Sequence, residues 1–448
     1  MKWISFVPLF VLFTSCGKGL GLINSAPKSQ DQAGIIASCT SVDQAQSLSD
    51  ELGIQYRVLS KKHKMIEFYK VDKKELKNRL PKAKLKSNIV FEKTLIESEN
   101  FKAQNVSNKA FYGAHVPQYA DHSTERYFPH LAQIDAHQEI AQGEGVVIAI
   151  IDTGVDYNHP HLSPNILEND LDKHGNNADG KDNDNNNYID DQVGWDFYNG
   201  DAYPNDDNGH GTHVAGLAAS TYMGIAPKAK ILPVKVLSST GSGDLGTVAA
   251  GILYALDRKA DIINLSLGGS VGNSFSKELK ELISSVKIAN TKNSLVIAAA
   301  GNGGSDGVGD CNDEEPQYPA NIQEDNMIAV ASVDAYNQIT NYSNYGGETV
   351  HVAAPGGANA SGALLSTALT ECEGPCSSNQ IPYTGSMGTS MATPIVAGLA
   401  AVIKSHSSHL SNAQIKEIII NSVEIYDELK GLIKSSGIIN VSNALNAL

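Results

Sequence analysis

Residues 146–154 read Val-Val-Ile-Ala-Ile-Ile-Asp-Thr-Gly, and this stretch decides the fold. A short run of apolar residues without in-out alternation is typical of a parallel strand buried on both faces. Four further runs have the same character: Ile231–Leu237, Ile262–Leu267, Ser294–Ala300 and Met327–Val333. Helical segments separate several of them, at Gly211–Ser220, Leu245–Lys259 and Phe275–Ile288. This alternation predicts an α/β domain with a mostly parallel sheet and helices on both faces. In such sheets, sites form beyond the carboxyl ends of the strands. The end of the first run is therefore the place to look for chemistry.

That end is Asp152. A carboxylate directly after an apolar strand is costly unless it is paired, and taken alone it reads as a strand-end Asp capping a turn. The second segment is Asn208–Gly216 (NGHGTHVAG), where His210 opens a helix of very small residues that another backbone can approach closely. A lone His is usually structural. The third is Gly385–Pro394 (GSMGTSMATP), which puts Ser390 at the N-terminus of an apolar helix. Free N–H groups and the helix dipole there favour developing negative charge, although the simplest role for such a Ser is an N-cap. Together the three supply an orienter, a general base and a nucleophile, in the order Asp, His, Ser.

The segments IIDTGVDYNHPHL, NGHGTHVAG and GTSMATP resemble the three signature motifs of the subtilisin-like serine proteases, and the chain order is that of the family. INLSLGG (Ile263–Gly269), AAAGN (Ala298–Asn302), YPA (Tyr318–Ala320) and VAAPG (Val352–Gly356) extend the resemblance from about Phe128 to the C-terminus. The resemblance implies a secreted serine endopeptidase acting on proteins or peptides through an acyl-enzyme. Asp152 would orient His210, His210 would take the proton of Ser390, and Asn302 would donate to the oxyanion. Ser266, Leu267, Gly268 and Gly269 would wall the substrate cleft, and Gln317 would floor the first specificity pocket. Ile395 and His161 depart from residues common in the family, at positions that do not carry the chemistry.

Rival readings fit less well. Asp152-Thr153-Gly154 is also the aspartic-protease triplet, but no second copy exists in the chain. Gly388-x-Ser390-x-Ala392 approximates a nucleophile elbow, yet that order requires Asp and then His, whereas His406 and His409 both precede Asp427. A catalytically inactive, secreted calcium-binding interaction protein on a protease scaffold is disfavoured because all four catalytic positions are filled.

Asp152 and His210 are separated by an acidic insertion. Residues 168–207 carry 12 Asp/Glu against 2 Lys, a balance of −10. Within it, Asp182, Asp184, Asn186, the Tyr188 carbonyl and Asp190 or Asp191 offer oxygens at alternate positions, like the first part of an EF-hand loop. Asn187 replaces the usual Gly, a mild loss because Asn tolerates a left-handed φ. Val193 replaces the closing Glu, so another ligand must complete the site. A solvated acidic loop is the simpler alternative. The close carboxylates and the family resemblance favour a structural calcium ion.

The whole chain has 448 residues and a net charge of −15, which argues against binding nucleic acid. Residues 51–110 are the exception, with 15 Lys/Arg against 7 Asp/Glu, a balance of +8. Residues 34–97 follow a β-α-β-β-α-β order, the ferredoxin-like motif, and resemble the family's inhibitory propeptide. That propeptide would be a partner in cis, and residues 98–126 read as a linker holding the maturation site. The catalytic domain then spans 127–448. Residues 1–15 read as a signal peptide for export. Leu12–Cys16 resembles a lipoprotein box, which would lipidate Cys16 and anchor the chain to a membrane; the alternative is ordinary cleavage further on, near Ala26, and a released extracellular enzyme. The remaining cysteines are Cys39, Cys311, Cys372 and Cys376; the last three permit three alternative single disulfides.

Overall fold

The computed structural model describes residues 128–136, 142–172, 178–270, 277–304, 306–358, 362–370 and 382–448, together with four strands nearer the N-terminus. The signal segment, Cys16, Cys39, Cys372, Cys376 and the 98–126 linker lie outside the described residues. The chain divides into two units, Met1–Glu99 and Asn100–Leu448.

The first unit contains β1 (Ile35–Ser38), β2 (Gln55–Ser60), β3 (Met65–Tyr69) and β4 (Lys84–Ser87). They lie in the order β2-β3-β1-β4 with every neighbouring pair antiparallel, the strand order of a ferredoxin-like sheet. Apart from helical Ser47, the helices expected at 42–53 and 72–80 fall outside the described residues. The apolar segment 88–96, expected as the fourth strand, lies outside the described residues. The strand pairing with β1 is Lys84–Ser87, through Leu85↔Ala37. One apolar residue between two lysines suits an edge position, where charge discourages further pairing.

The second unit is built on a nine-stranded sheet in the order β16-β17-β13-β12-β10-β8-β5-β7-β6. Its members are β5 (Val147–Asp152), β6 (Trp195–Asp196), β7 (Lys230–Lys235), β8 (Ile262–Leu265), β10 (Leu295–Ala299), β12 (Met327–Val333), β13 (Val352–Pro355), β16 (Glu424–Ile425) and β17 (Gly437–Ile438). All adjacent pairs are parallel except β16–β17 at one edge. Two small antiparallel pairs flank it: β9 (Gly269–Ser270) with β11 (Gln317–Tyr318), and β14 (Leu364–Thr367) with β15 (Tyr383–Ser386). The helices are α1 (Pro129–Gln133), α2 (His210–Ala219), α3 (Leu245–Asp257), α4 (Lys277–Thr291), α5 (Thr389–His406), α6 (Asn412–Asn421) and α7 (Val441–Asn446).

The apolar runs are parallel strands because both of their faces are covered. Ala149 and Ile151 of β5 join a core with Val248 and Ile252 of α3 and Leu282 and Val286 of α4. Ile148 and Ile150 point to the opposite face, where α2 and α5 pack. The sheet grows from β5 in both directions, toward β7 and β6 on one side and toward β8, β10, β12 and β13 on the other. The crevice at the carboxyl ends of β5 and β8 is thus a topological switch point, the usual place for a site.

Ile150 is fully buried and sits in register with Pro233 on β7 and Asn264 on β8. Ile150→Ala should lower unfolding free energy by about 2–5 kcal/mol. Urea unfolding checks this in a Ser390→Ala background, which prevents self-digestion from distorting the transition.

Candidate active site

The geometry begins with the N-terminus of α2, whose first four N–H groups need partners outside the helix. His210 N–H donates to Asn208 Oδ1 (3.2 Å), Gly211 N–H to Thr153 Oγ1 (2.9 Å), and Thr212 N–H to Asp206 Oδ2 (2.8 Å). The N-cap Gly209 N–H donates to Asp206 Oδ1 (2.9 Å), and the His213 N–H begins the helical ladder on the Gly209 carbonyl (3.1 Å). Thr153 belongs to the end of β5, so capping the helix also docks it against the strand. Gly211 makes that docking possible: a Cβ there would lie 2.0 Å from the Gly154 carbonyl oxygen and 3.1 Å from Asp152 Cβ.

The docked helix presents His210 to Asp152. His210 Nδ1 donates to Asp152 Oδ1 at 2.7 Å, and the Thr153 N–H donates to the same oxygen at 2.7 Å. Asp152 is fully buried, and among the described residues its Oδ2 has no hydrogen-bond partner. Burial lowers the proton affinity of His210, but the charge and hydrogen bond of Asp152, with the charge of Asp206, more than reverse this and raise it above the ordinary value.

Ser390 stands in the first turn of α5, half-exposed above the sheet. Its Oγ donates to the Ser266 carbonyl (3.0 Å) rather than to His210, and Ser266 Oγ donates back to the Ser390 carbonyl (2.8 Å). Catalytic hydrogen bonds are often loose before substrate binds. Asn302 lies just beyond β10, and its Oδ1 accepts from both Thr389 N–H (2.8 Å) and Thr389 Oγ1 (2.9 Å). With the amide oxygen so occupied, Asn302 Nδ2 and the Ser390 N–H, which have no hydrogen-bond partner among the described residues, can both serve a developing oxyanion.

The expected cleft wall is only partly on the surface. Ser266 is buried and holds the nucleophile's backbone, whereas Leu267, Gly268 and Gly269 are at least partly exposed. Half-buried Gln317 is brought beside this wall by the β9–β11 pairing, opposite Ser270. Cys311 is buried and disulfide-bonded, which rules out the arrangement leaving it free; its partner lies outside the described residues.

The acidic loop is rearranged relative to expectation. Asp184 and Asp191 converge as anticipated, but the third carboxylate is Asp172, all three offering oxygens within 4.8 Å of one another. Asn169 Nδ2 lies 3.0 Å from an oxygen of each, and Asn186 Nδ2 contacts Asp184 (3.1 Å) and Asp191 (3.0 Å). Asp182 and Asp190 do not join them. Asp182 instead accepts the N–H groups of Asn186 and Asn187, and Asp190 those of Asp179 and Gly180, so both brace the loop's turns. Tyr188 packs its ring against Trp195, Phe197 and Tyr254. Asn187 does adopt a left-handed conformation (φ 73°). Burial pushes Asp172 above the usual carboxylate range; the Asn183 N–H opposes this, and the charges of Asp184 and Asp191 add to the rise. Among the described residues the cation paired with this cluster is Arg258, whose guanidinium lies 3.0 Å from Asp191 Oδ2.

Residues 143–443 match the peptidase family described as the subtilase family, and the chain belongs to it. It is 39% identical over 296 residues to thermitase of Thermoactinomyces vulgaris, covering 65% of this chain and 86% of that protein. It is 36% identical to the major intracellular serine protease of Bacillus subtilis (strain 168), covering 62% of this chain and 73% of that one. Among solved structures, a protease of Pseudoalteromonas arctica PAMC 21717 superposes with a TM-score of 0.52 and 30% identity, over 70% of this chain and 93% of the other. The protein is a subtilisin-like serine protease.

Several site residues were not anticipated. Thr389 sits inside the GTSMATP motif with no local sign of its duty toward Asn302. Lys235 offered a clue, as a lone cation ending an apolar strand must find partners; it is buried, with Nζ bonded to the Thr153 carbonyl (2.7 Å), the Leu237 carbonyl (2.9 Å) and Asp207 Oδ1 (2.6 Å).

A general base must be neutral to act. With its proton affinity raised, His210 loses its proton only above the ordinary value of 6.5. The acid limb of kcat/KM should therefore inflect above pH 6.5, and activity should fall as pH drops through that inflection. Asp152→Asn should move the inflection down and cut kcat by about 10⁴-fold. Peptide hydrolysis measured from pH 5 to 9 checks both.

Proposed function

We propose that the protein is an exported serine endopeptidase, made as a zymogen, that hydrolyses peptide bonds through Asp152, His210 and Ser390. The observation carrying this reading is the 2.7 Å Asp152–His210 bond beside a serine at a helix N-terminus. On this reading, substrate lies along Leu267–Gly269 as an added strand, and Ser390 Oγ turns from the Ser266 carbonyl to attack the scissile carbonyl. His210 accepts its proton, and Asp152 holds the imidazole in the donating tautomer and stabilises its cation. Asn302 Nδ2 and the Ser390 N–H donate to the oxyanion. His210 then returns the proton to the leaving amine, and water deacylates the enzyme by the same relay.

Calcium is the cofactor this reading adds. Asp172, Asp184 and Asp191 form a set of hard oxygen donors that suits it. The Asn169 and Asn186 amides, whose NH₂ groups face these carboxylates, would turn their oxygens inward to join it. Among the described residues the charge paired with the three carboxylates is that of Arg258, on Asp191, against three negative charges. Bound there, calcium would supply charge compensation that fixes the loop between Asp152 and His210. The N-terminal sheet would act as the inhibitory propeptide, removed by cleavage within residues 98–126. Residues 1–15 would direct export and Cys16 would carry lipid, so that the anchor stays on the propeptide side of the cleavage.

Ser390→Ala should abolish casein hydrolysis and leave the precursor uncleaved on immunoblots. Asn302→Ala should lower kcat by roughly 10²–10³-fold with KM little changed. Full turnover in the Ser390→Ala variant would end this reading.

Chelation with EDTA should lower the melting temperature and added calcium should restore it, because an ion bound only to the native state stabilises that state. The response should vanish in an Asp172→Asn/Asp184→Asn variant. A persisting response would place the ion elsewhere.

A further inference from the structure

The loop before α2 brings a further carboxylate behind the catalytic pair. Asp206 is 3% exposed and accepts five hydrogen bonds. Its Oδ1 takes Thr153 Oγ1 (2.8 Å), Asn208 N–H (3.0 Å) and Gly209 N–H (2.9 Å). Its Oδ2 takes Thr212 N–H (2.8 Å) and Thr212 Oγ1 (2.6 Å). A carboxylate that merely capped the helix would need only the Thr212 N–H.

The remaining contacts reach both partners of the catalytic pair. Thr153 follows Asp152 at the strand end, and Gly209 precedes His210 at the helix start. Thr153 Oγ1 in turn accepts the Gly211 N–H, so Asp206, Thr153 and Gly211 brace the Asp152–His210 bond from behind. Lys235 pins the next residue of the loop, Asp207, to the Thr153 carbonyl, leaving the Asp206 carboxylate to the hydroxyl and N–H donors.

We propose that Asp206 is a positioning residue of the protease, fixing the His210 ring against Asp152 through Thr153 and the α2 N-terminus. This rests on the triad reading above. The charge is close enough to act: of the groups bearing on His210, Asp152 and Asp206 both favour its protonated form. His213, one turn along α2, is buried and held neutral, pushed down to about 4 by burial. Asp206 therefore does for His210 part of what Asp152 does, without touching it.

The test compares wild type, Asp206→Asn, Thr153→Val, Thr153→Ser and a surface control, Asp427→Asn, each normalised by active-site titration. Asp206→Asn should reduce kcat about 10- to 100-fold, keep KM within about twofold, and move the acid limb of kcat/KM to lower pH. Thr153→Val should reduce kcat with a smaller shift of the limb, Thr153→Ser should retain activity, and Asp427→Asn should match wild type. A second readout does not need turnover: NMR titration of the His210 imidazole in Ser390→Ala enzyme, with and without Asp206→Asn or Thr153→Val. If the His210 titration and acid limb stay unmoved while only folded yield falls, Asp206 is a helix cap and the inference is overturned. A wild-type chain that hydrolyses nothing overturns the protease reading itself, a result distinct from an active wild type with insensitive variants.

Discussion

A fully buried carboxylate at the end of a strand buried from Ile148 onward is the constraint around which the second unit is organised. Asp152 cannot be left uncompensated there, because a buried unpaired charge costs several kcal/mol. Its neighbours supply one backbone N–H and one imidazole, both on the same oxygen. For the imidazole to arrive, a helix must approach within van der Waals contact of the strand end, which explains why α2 begins His-Gly-Thr. The price of this close approach is a helix N-terminus in the interior, and Asn208, Thr153 and Asp206 satisfy it. Structural satisfaction and catalytic alignment are here one set of hydrogen bonds.

The same economy appears around Ser390. Thr389 occupies the carbonyl end of the Asn302 amide, so the donating end faces the space where an oxyanion would develop. Ser266 exchanges hydrogen bonds with Ser390, fixing the first turn of α5 against the end of β8. Ser390, Asn302 and the Leu267–Gly269 segment thus come from three chain segments that meet at strand ends on one side of β5, while His210 opens α2, the helix that follows β6.

Much of this was legible in the sequence. Unbroken apolar runs identify buried parallel strands because only those lack a solvent face, and the five runs became β5, β7, β8, β10 and β12. Asp152, His210 and Ser390 each had an ordinary structural reading alone, and only their three motifs in one order singled them out; the structure brings Asp152 and His210 together at 2.7 Å. What stayed hidden was long-range pairing. Asp172 could not be joined to Asp184 and Asp191 from spacing, since it approaches them only through the fold of the loop. Asp182 and Asp190 sit at ligand-like spacing yet serve turns, because short-range N–H groups compete for the same oxygens. The strand at Lys84–Ser87 in the N-terminal sheet was not anticipated for a related reason: edge pairing asks little hydrophobicity, so pattern alone does not locate it.

The central claim is that Asp152 and His210 activate Ser390 and no other serine. It is tested most directly by treating the purified protein with an organophosphorus fluoridate and locating the adduct by intact mass and peptide mapping. The account predicts a single adduct, on Ser390, forming at a rate that follows deprotonation of His210 and falling to background in His210→Ala. An adduct on another serine accompanying loss of activity, or equal labelling in the His210→Ala variant, would contradict it.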